Sequence, residues 1–228
     1  MTHRHEWLAA ARVIWLITLL AALILALTTA VPRPAGARYL SLFGYSEREN
    51  RAIKPFVKWT GTLDRYFAER QLEDAPCHSN LFNRCHLQDW KRFLAEVGTA
   101  DRMTQMEEVN AYMNRAPYIV DPVNYGVPDY WATPKQFLVK DGDCEDYAIA
   151  KYLSLRALGF PVESLRIVVL QDENLNLAHA ILAVYYRDDI YILDNQINHV
   201  VTQDRIRHYR PIYSINEQAW WLHTPGHS

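Results

Sequence analysis

The order of segments in the second half of the chain limits the fold more than any other sequence feature. Residues 143–158 have a helical pattern, since Asp143 can cap the start, Gly159 can end the helix and Pro161 cannot continue it. Three segments rich in β-branched and aromatic residues follow, at residues 165–170, 179–186 and 190–195. One helix followed by consecutive antiparallel strands predicts an α+β fold.

The first half of the chain is predicted to be helical. Residues 50–75 show helical periodicity, residues 87–97 place their apolar side chains on one stripe, and residues 103–113 continue the pattern. Proline and glycine then interrupt any regular element between residues 117 and 134, which predicts a long ordered loop. We therefore expect a helical N-terminal half packed on an antiparallel sheet.

An apolar segment precedes this domain. Val13–Val31 is a run of 19 residues without a charge, long enough to span a bilayer core. Arg4 and Arg12 precede it, so the positive-inside rule predicts that the remainder is exported. The small-x-small motif Ala35-Gly36-Ala37 leaves open a cleaved signal peptide instead of an anchor. The predicted organisation is a membrane anchor or signal segment, a linker and a domain, at residues 1–31, 32–49 and 50–228.

Charge and cysteine content exclude some functions. Lys plus Arg total 24 against 26 Asp plus Glu, so no net basic field favours nucleic acid, and we expect no such partner. In an oxidising compartment two of the three cysteines should pair, and Cys77 and Cys85 are the nearest pair in the sequence. Free thiols, or a zinc site with His78 and His86, remain open alternatives. A disulfide would leave Cys144 as the odd thiol.

Cys144 is the best candidate for a nucleophile. It lies in the first turn of its predicted helix, where free backbone N–H groups and the helix dipole favour a thiolate. A nucleophilic thiol needs a base within hydrogen-bond reach, and His179 begins the second predicted strand after a polar loop. The alternative is an inert core cysteine and an ordinary strand histidine.

Hairpin geometry selects a partner for His179. If Arg187-Asp188 forms a two-residue turn, residue 181 lies opposite Asp194, and His179 becomes the diagonal neighbour of Asp194. The two backbones would then be about 7–8 Å apart, near enough for their side chains to bond. A loop with an odd number of residues and no bulge would place the two side chains on opposite faces. This argument predicts a Cys144, His179, Asp194 triad, conditional on the turn.

Three acids flank the proposed nucleophile. Asp143, Glu145 and Asp146 should raise the pKa of the thiol, because negative charges oppose a thiolate. A calcium ion, which takes carboxylate oxygens and is abundant outside the cell, would neutralise them. Alternatively, the acids only cap the helix and favour its N-terminus.

Linked motifs resemble a known family. The sequences DYWATPKQFLVKDGDCEDYAIAKYLSLRALG, HAILAVYY, YILDN and YRPIYSINEQAWWLH resemble the bacterial transglutaminase-like cysteine proteinases, specifically LapG-type adhesin proteases, over residues 38–223. The resemblance implies a papain-like, transglutaminase-type core with Cys144, His179 and Asp194 as nucleophile, base and orienting acid. It also implies calcium dependence, with Asp143 and Glu145 matching the family's acids and Asp146 matching less closely.

The resemblance also implies a biological role. We expect a calcium-dependent periplasmic cysteine endopeptidase, which residues 13–31 would anchor to the inner membrane if they are not cleaved. Its substrate would be a large surface adhesin, cut in its N-terminal region at a di-alanine site, so that cleavage controls biofilm attachment. An inner-membrane cyclic-di-GMP receptor would be its partner. A transglutaminase-type acyl transferase and a catalytically silent calcium-responsive membrane adaptor are the alternative functions.

Overall fold

A computed structural model describes residues 40–70 and 84–226 of the chain. Within these two ranges no helix is both long enough and apolar enough to cross a membrane. The predicted membrane segment, residues 13–31, lies outside the described residues, as do Cys77 and the side chain of Cys85. The membrane anchor and the Cys77–Cys85 disulfide therefore stay predictions.

The described residues form helices first and a sheet afterwards, apart from one early strand. The helices are α1 Val57–Arg70, α2 Arg84–Val97, α3 Arg102–Met113, α4 Asp121–Asn124, α5 Pro134–Lys140 and α6 Cys144–Ala157. The strands are β1 Ser46–Asn50, β2 Leu165–Asp172, β3 Leu177–Tyr186, β4 Asp189–Leu193, β5 Val201–Thr202, β6 Tyr209–Ile215 and β7 Trp220–Thr224. This order confirms the predicted α+β class.

One antiparallel sheet holds all seven strands, in the order β1-β7-β6-β2-β3-β4-β5. The helices cover one face, where Trp59 of α1 and Tyr152 of α6 are fully buried against strand residues such as Ile167 and Leu182. The other face carries a second apolar cluster, which includes Leu42 and Val168. Because the central parts of β2 and β3 are buried on both faces, residues 167–170 and 180–184 are all apolar.

The predicted linker is wrong over its last ten residues. Residues 40–49 belong to the folded unit, with Leu42 fully buried in the second cluster and β1 paired along its length with β7. The prolines and glycines near residues 31–44 suggested a linker, but the apolar second face of the sheet needs a cover. Residues 40–43 supply part of that cover.

The predicted long loop also contains regular structure. Residues 121–124 form the single turn α4. Residue 134 starts α5, and Thr133 and Gln136 form a capping box at the N-terminus of this helix. The predicted loop therefore contains one short helix and ends at the start of a second, α5, which reaches to within two residues of the GDC sequence.

A buried ion pair holds β1 in place. Glu47 Oε2 lies 2.6 Å from Arg166 Nη1, and the two side chains are only 12% and 6% exposed. The Arg166 guanidinium also lies 3.7 Å from the centre of the Trp221 ring. Glu47 accepts a hydrogen bond from the Leu42 amide as well, at 3.2 Å. One carboxylate thus connects β1, β2 and the N-terminal turn.

Replacing Glu47 by Gln should lower the free energy of unfolding by about 3 kcal/mol, because the charge of Arg166 stays buried without its partner. Glu49→Gln is the matched control on the same strand, since its pair with Arg51 is exposed and should contribute less than about 1 kcal/mol. Urea unfolding of both variants measures the difference. Equal losses would contradict a special role for Glu47.

Candidate active site

The first turn of α6 opens into a cleft of about 340 Å³. Cys144 is the first residue of this helix and is half-buried. His179 enters the cleft from the start of β3. The remaining residues around the opening are Tyr118, Pro128, Asp129, Trp131, Asp143, Glu145, Val169, Ala178, Ala180 and Tyr213. The structure therefore brings the predicted nucleophile and base to one opening.

The hairpin between β3 and β4 has the geometry that the sequence predicts. Tyr186 pairs with Asp189, which leaves Arg187 and Asp188 as a two-residue turn, and Arg187 has a φ of 55°. Leu182 lies opposite Leu193, the pairing that the predicted turn requires. His179 and Asp194 consequently share a face.

His179 and Asp194 form a buried hydrogen-bonded pair. His179 Nε2 lies 2.9 Å from Asp194 Oδ1, and the side chains are 3% and 0% exposed. The Gln196 amide donates to the same carboxylate oxygen at 2.9 Å, and the Tyr209 hydroxyl donates to the other at 2.6 Å. Burial alone would raise the pKa of Asp194, but these donors and His179 hold it below its usual value. Asp194 is therefore ionised at neutral pH.

The other ring nitrogen of His179, Nδ1, faces the Gln196 side chain. Because Nε2 bonds Asp194, only Nδ1 remains, and Gln196 Nε2 lies 3.5 Å from it. The Cys144 thiol donates to Glu145 Oε2 at 3.1 Å, and the Ala180 amide donates to the sulfur. Since Ala180 directly follows His179, this contact holds the sulfur beside the start of β3.

The surroundings of the thiol oppose its ionisation. Burial raises the pKa of Cys144 strongly, and Glu145 and Asp143 raise it further. The expected help from the helix N-terminus is outweighed by these three effects. Asp143 also differs from the capping prediction, because it occupies the N-cap position but makes no side-chain cap hydrogen bond. Its Oδ2 instead accepts from the Asp121 amide at 3.3 Å.

Five carboxylates gather beside the thiol. Oxygens of Asp121, Asp129 and Glu145 all lie within 4.8 Å of one another, as do those of Asp121, Asp143 and Asp146. The three predicted metal residues are thus together, and two more, Asp121 and Asp129, join them. Both lie in the stretch predicted as loop, where only their acidic character was visible, because folding rather than sequence spacing brings them near.

This cluster suits a hard cation. Asp121 Oδ1, Asp143 Oδ1 and Asp146 Oδ2 are buried without a hydrogen-bond partner among the described residues. Burial raises the pKa of Asp143 to about 7 and that of Asp146 to about 9. Several oxygen ligands with unsatisfied negative charge match the preference of Ca²⁺. Helix capping alone accounts for none of these orphan oxygens.

Gly142 makes room for the most deeply buried of these acids. A Cβ at Gly142 would lie 2.2 Å from Asp146 Oδ2 and 2.7 Å from Asp146 Cβ. The other carboxylate oxygen, Oδ1, accepts from the Ala132 amide at 2.6 Å. Asp146 is therefore fixed from two sides, with one oxygen left for a ligand.

Comparison with known proteins identifies the family. The family model of bacterial transglutaminase-like cysteine proteinases matches residues 77–225. The chain belongs to this family. LapG from Legionella pneumophila in its calcium-bound form is 30% identical, with a TM-score of 0.60 over 69% of this chain and 87% of that chain. Its EGTA-treated form matches with 30% identity and a TM-score of 0.59, over 69% of this chain and 84% of that one. No curated protein matches.

Membership confirms the predicted resemblance and the transglutaminase-like core. The chain is therefore a member of a cysteine protease family, and its fold is similar to that of LapG. The match also covers Asp121 and Asp129, which sequence reasoning missed.

A buried lysine lies behind the site of this proteinase. Lys151 is seven residues after Cys144 on α6, hence on the same side of the helix. Its side chain is fully buried, and Nζ has no hydrogen-bond partner among the described residues. Burial lowers the pKa of Lys151 to about 7, although the charge of Asp194 opposes this shift.

Lys151→Met should raise the free energy of unfolding at pH 7 by about 2 kcal/mol, because a desolvated amine is replaced by an apolar chain of similar length. The folded pKa of about 7 lies below the ordinary 10.5, so the unfolded chain binds more protons between these values. Stability of the wild type therefore rises with pH across this window, and the advantage of the variant shrinks.

Chemical unfolding of wild type and variant at several pH values between 7 and 10.5 measures this difference. Lys54→Met, at an exposed position, is the control and should change stability by less than about 0.5 kcal/mol at every pH. An Lys151→Met variant that is less stable than wild type at pH 7 would refute the account.

Proposed function

We propose that this protein is a calcium-dependent cysteine endopeptidase in which Cys144 is the nucleophile, His179 the base and Asp194 the acid that orients the base. The observation that carries the proposal is the buried His179–Asp194 pair, in which Nε2 is the bonded nitrogen, in the same cleft as the Cys144 thiol. An inert core cysteine would need no ionised acid behind a neighbouring histidine.

Peptide hydrolysis follows from this arrangement. His179 Nδ1 takes the thiol proton as Cys144 Sγ attacks the substrate carbonyl carbon, and the carbonyl electron pair moves to its oxygen. The backbone N–H of Cys144, at the start of α6, would hold that oxyanion. His179 then gives its proton to the leaving amine, and a thioester remains on Cys144. Water, deprotonated by His179, releases the acid product.

Asp194 makes His179 an effective base. The carboxylate accepts the Nε2 proton, which fixes the tautomer with its lone pair on Nδ1 and stabilises the imidazolium that forms. Tyr209 and Gln196 keep that carboxylate ionised and oriented. The base is therefore preorganised even in a cleft where burial disfavours charge.

Calcium would be held by Asp121, Asp143, Glu145 and Asp146, with Asp129 at the rim. The ion would supply positive charge beside the sulfur and so lower the pKa of the thiol. Without calcium, the Glu145 carboxylate accepts a hydrogen bond from the thiol and so competes with His179 for the thiol proton. The calcium-bound and EGTA-treated forms of the similar LapG support this reading.

The natural substrate and setting extend the same proposal. The family resemblance supports a large surface adhesin, cut in its N-terminal region at a di-alanine site, and hence control of biofilm attachment. It also supports a periplasmic location and an inner-membrane cyclic-di-GMP receptor as partner. Residues 13–31 would place the enzyme at the membrane if they are retained.

Gly142→Ala should weaken calcium binding at least tenfold, because the added methyl group displaces Asp146 from its cradle. Gly61→Ala is the matched control, since its Cβ would meet only the end of the Arg65 side chain at 3.4 Å. Calorimetric titration with calcium measures both affinities. Unchanged affinity in Gly142→Ala, with the fold retained, would remove Asp146 from the ligand set.

Cys144→Ala should abolish cleavage of an adhesin N-terminal fragment, and EGTA should abolish cleavage by the wild type, with recovery when calcium is restored. Gel and mass analysis of the products measures both. Adding an excess of a primary amine separates the alternatives: amide products would indicate acyl transfer, whereas free carboxyl ends indicate hydrolysis. No cleavage by calcium-loaded wild type would favour the silent adaptor.

A further inference from the structure

The segment that follows β4 contacts both ring nitrogens of His179. Asp194 bonds Nε2 of His179 at 2.9 Å, and the side chain of Gln196 lies 3.5 Å from Nδ1. Strand pairing with β3 ends at Leu193, so Asp194 lies just beyond the ladder and has no strand partner to fix its backbone. Something else must therefore hold residues 194–200.

Asn110 of α3 and Asn114, the residue that caps the C-terminal end of α3, supply that support. Asn114 Nδ2 donates to the Asp194 carbonyl oxygen at 2.8 Å and to that of Ile197 at 3.4 Å. Asn110 Nδ2 donates to the carbonyl oxygens of Ile197 and Asn198, both at 3.3 Å. The two asparagines are four residues apart, so they lie on one face of the helix. The two asparagines thus donate four hydrogen bonds to three carbonyl oxygens of the segment.

A third residue of the same face completes the attachment. Glu107, three residues before Asn110, accepts a hydrogen bond from the Val200 amide at 3.2 Å. Donors and acceptors on α3 thus match the polarity of the segment, with amide groups against carbonyl oxygens and a carboxylate against an N–H. This correspondence indicates a specific docking surface for the backbone after β4.

In donating to this segment, both asparagines leave their own side-chain oxygens without a hydrogen-bond donor among the described residues. The atoms concerned are Oδ1 of Asn110 and Oδ1 of Asn114, and Asn110 is fully buried. Rotating either amide by half a turn would place an oxygen against the carbonyl oxygens, so the present orientation is chemically determined. A buried acceptor without a partner costs free energy, which makes the donation the reason for these side chains.

We propose that Asn110 and Asn114 are positioning residues of the catalytic machinery, which hold the Asp194–Asn198 segment so that Asp194 and Gln196 stay in register with His179. The inference rests on the proposed function for its effect on turnover. The contact that matters most is Asn114 to the Asp194 carbonyl, because it fixes the backbone of the orienting acid itself. Neither asparagine touches substrate.

Asn114→Ala and Asn114→Asp test this role against Gln105→Ala. Gln105 lies on the same helix, is buried, and donates through Nε2 to the Val97 and Gly98 carbonyl oxygens at 3.2 and 3.1 Å, away from the cleft. Asn114→Asp keeps the shape but replaces the donor by an acceptor. Two readouts are needed: steady-state cleavage of the adhesin fragment with calcium, and the NMR signal of the His179 Nε2 proton.

Both Asn114 variants should lower kcat roughly 10- to 100-fold with little change in KM, because misplacing the base by about an ångström affects the transition state more than binding. The His179 Nε2 proton signal should broaden or shift, since its acceptor moves. Gln105→Ala should keep that signal and a kcat within about twofold of wild type, even though it loses comparable stability.

Three outcomes would overturn the proposal. Full activity in Asn114→Asp would show that only the shape of the side chain matters. An unchanged Nε2 proton signal in both folded Asn114 variants would show that the position of Asp194 does not depend on the hydrogen bond from Asn114. An equal loss of kcat in Gln105→Ala would reduce the effect to stability. If Asn114→Ala does not fold, Asn110→Ala replaces it. Because NMR needs no turnover, failure of the protease function leaves this test intact.

Discussion

The packing of carboxylates around the start of α6 is the constraint on which the rest of the site depends. Burial and mutual repulsion raise the pKa of Asp143 to about 7 and of Asp146 to about 9, so ionising these carboxyl groups together is costly without a cation beside them. Asp121 and Gly142 are part of the same arrangement, because one brings the preceding loop to the helix and the other leaves space for Asp146. A site of this composition is stable as a cation site or as partly protonated acids, and chemistry near neutral pH favours the cation.

The sheet supplies rigidity on the opposite side of the sulfur. β2 and β3 are covered on both faces, and residues 40–43 with the buried Glu47–Arg166 pair complete the second face. The start of β3, including His179, is paired with β2, and β4 joins β3 from Leu182 onward. His179 therefore approaches Cys144 from the sheet, whereas the acids lie at the start of α6 and in the preceding segment, at Asp121 and Asp129. The proposed base and the proposed calcium ligands thus belong to different parts of the fold.

Local signals predicted much of this arrangement and failed where distant segments meet. The helix at Cys144 and the His179–Asp194 register followed from capping residues and a two-residue turn, which are short-range properties. β6 and β7 were not predicted, because Pro211 and the polar turn at Asn216 interrupt the alternating pattern and the strands depend on pairing with β2 and β1. Asp121 and Asp129 were missed for the same physical reason, since a carboxylate becomes a ligand only when another segment places an oxygen beside it.

The two asparagines at α3 show how the helical half contributes to chemistry that lies on the sheet. A histidine base needs its acid within hydrogen-bond distance, yet the pairing of β4 with β3 ends one residue before Asp194. The carbonyl of Asp194 would then be free to move with the segment that follows, and small displacements there reduce catalysis sharply. Bonding that carbonyl to Asn114 transfers the rigidity of a packed helix to the acid. The helices of this proteinase thus contribute to the proposed active site in two ways. α6 carries the sulfur of Cys144, and the asparagines at α3 donate hydrogen bonds to the backbone of the segment that begins at Asp194.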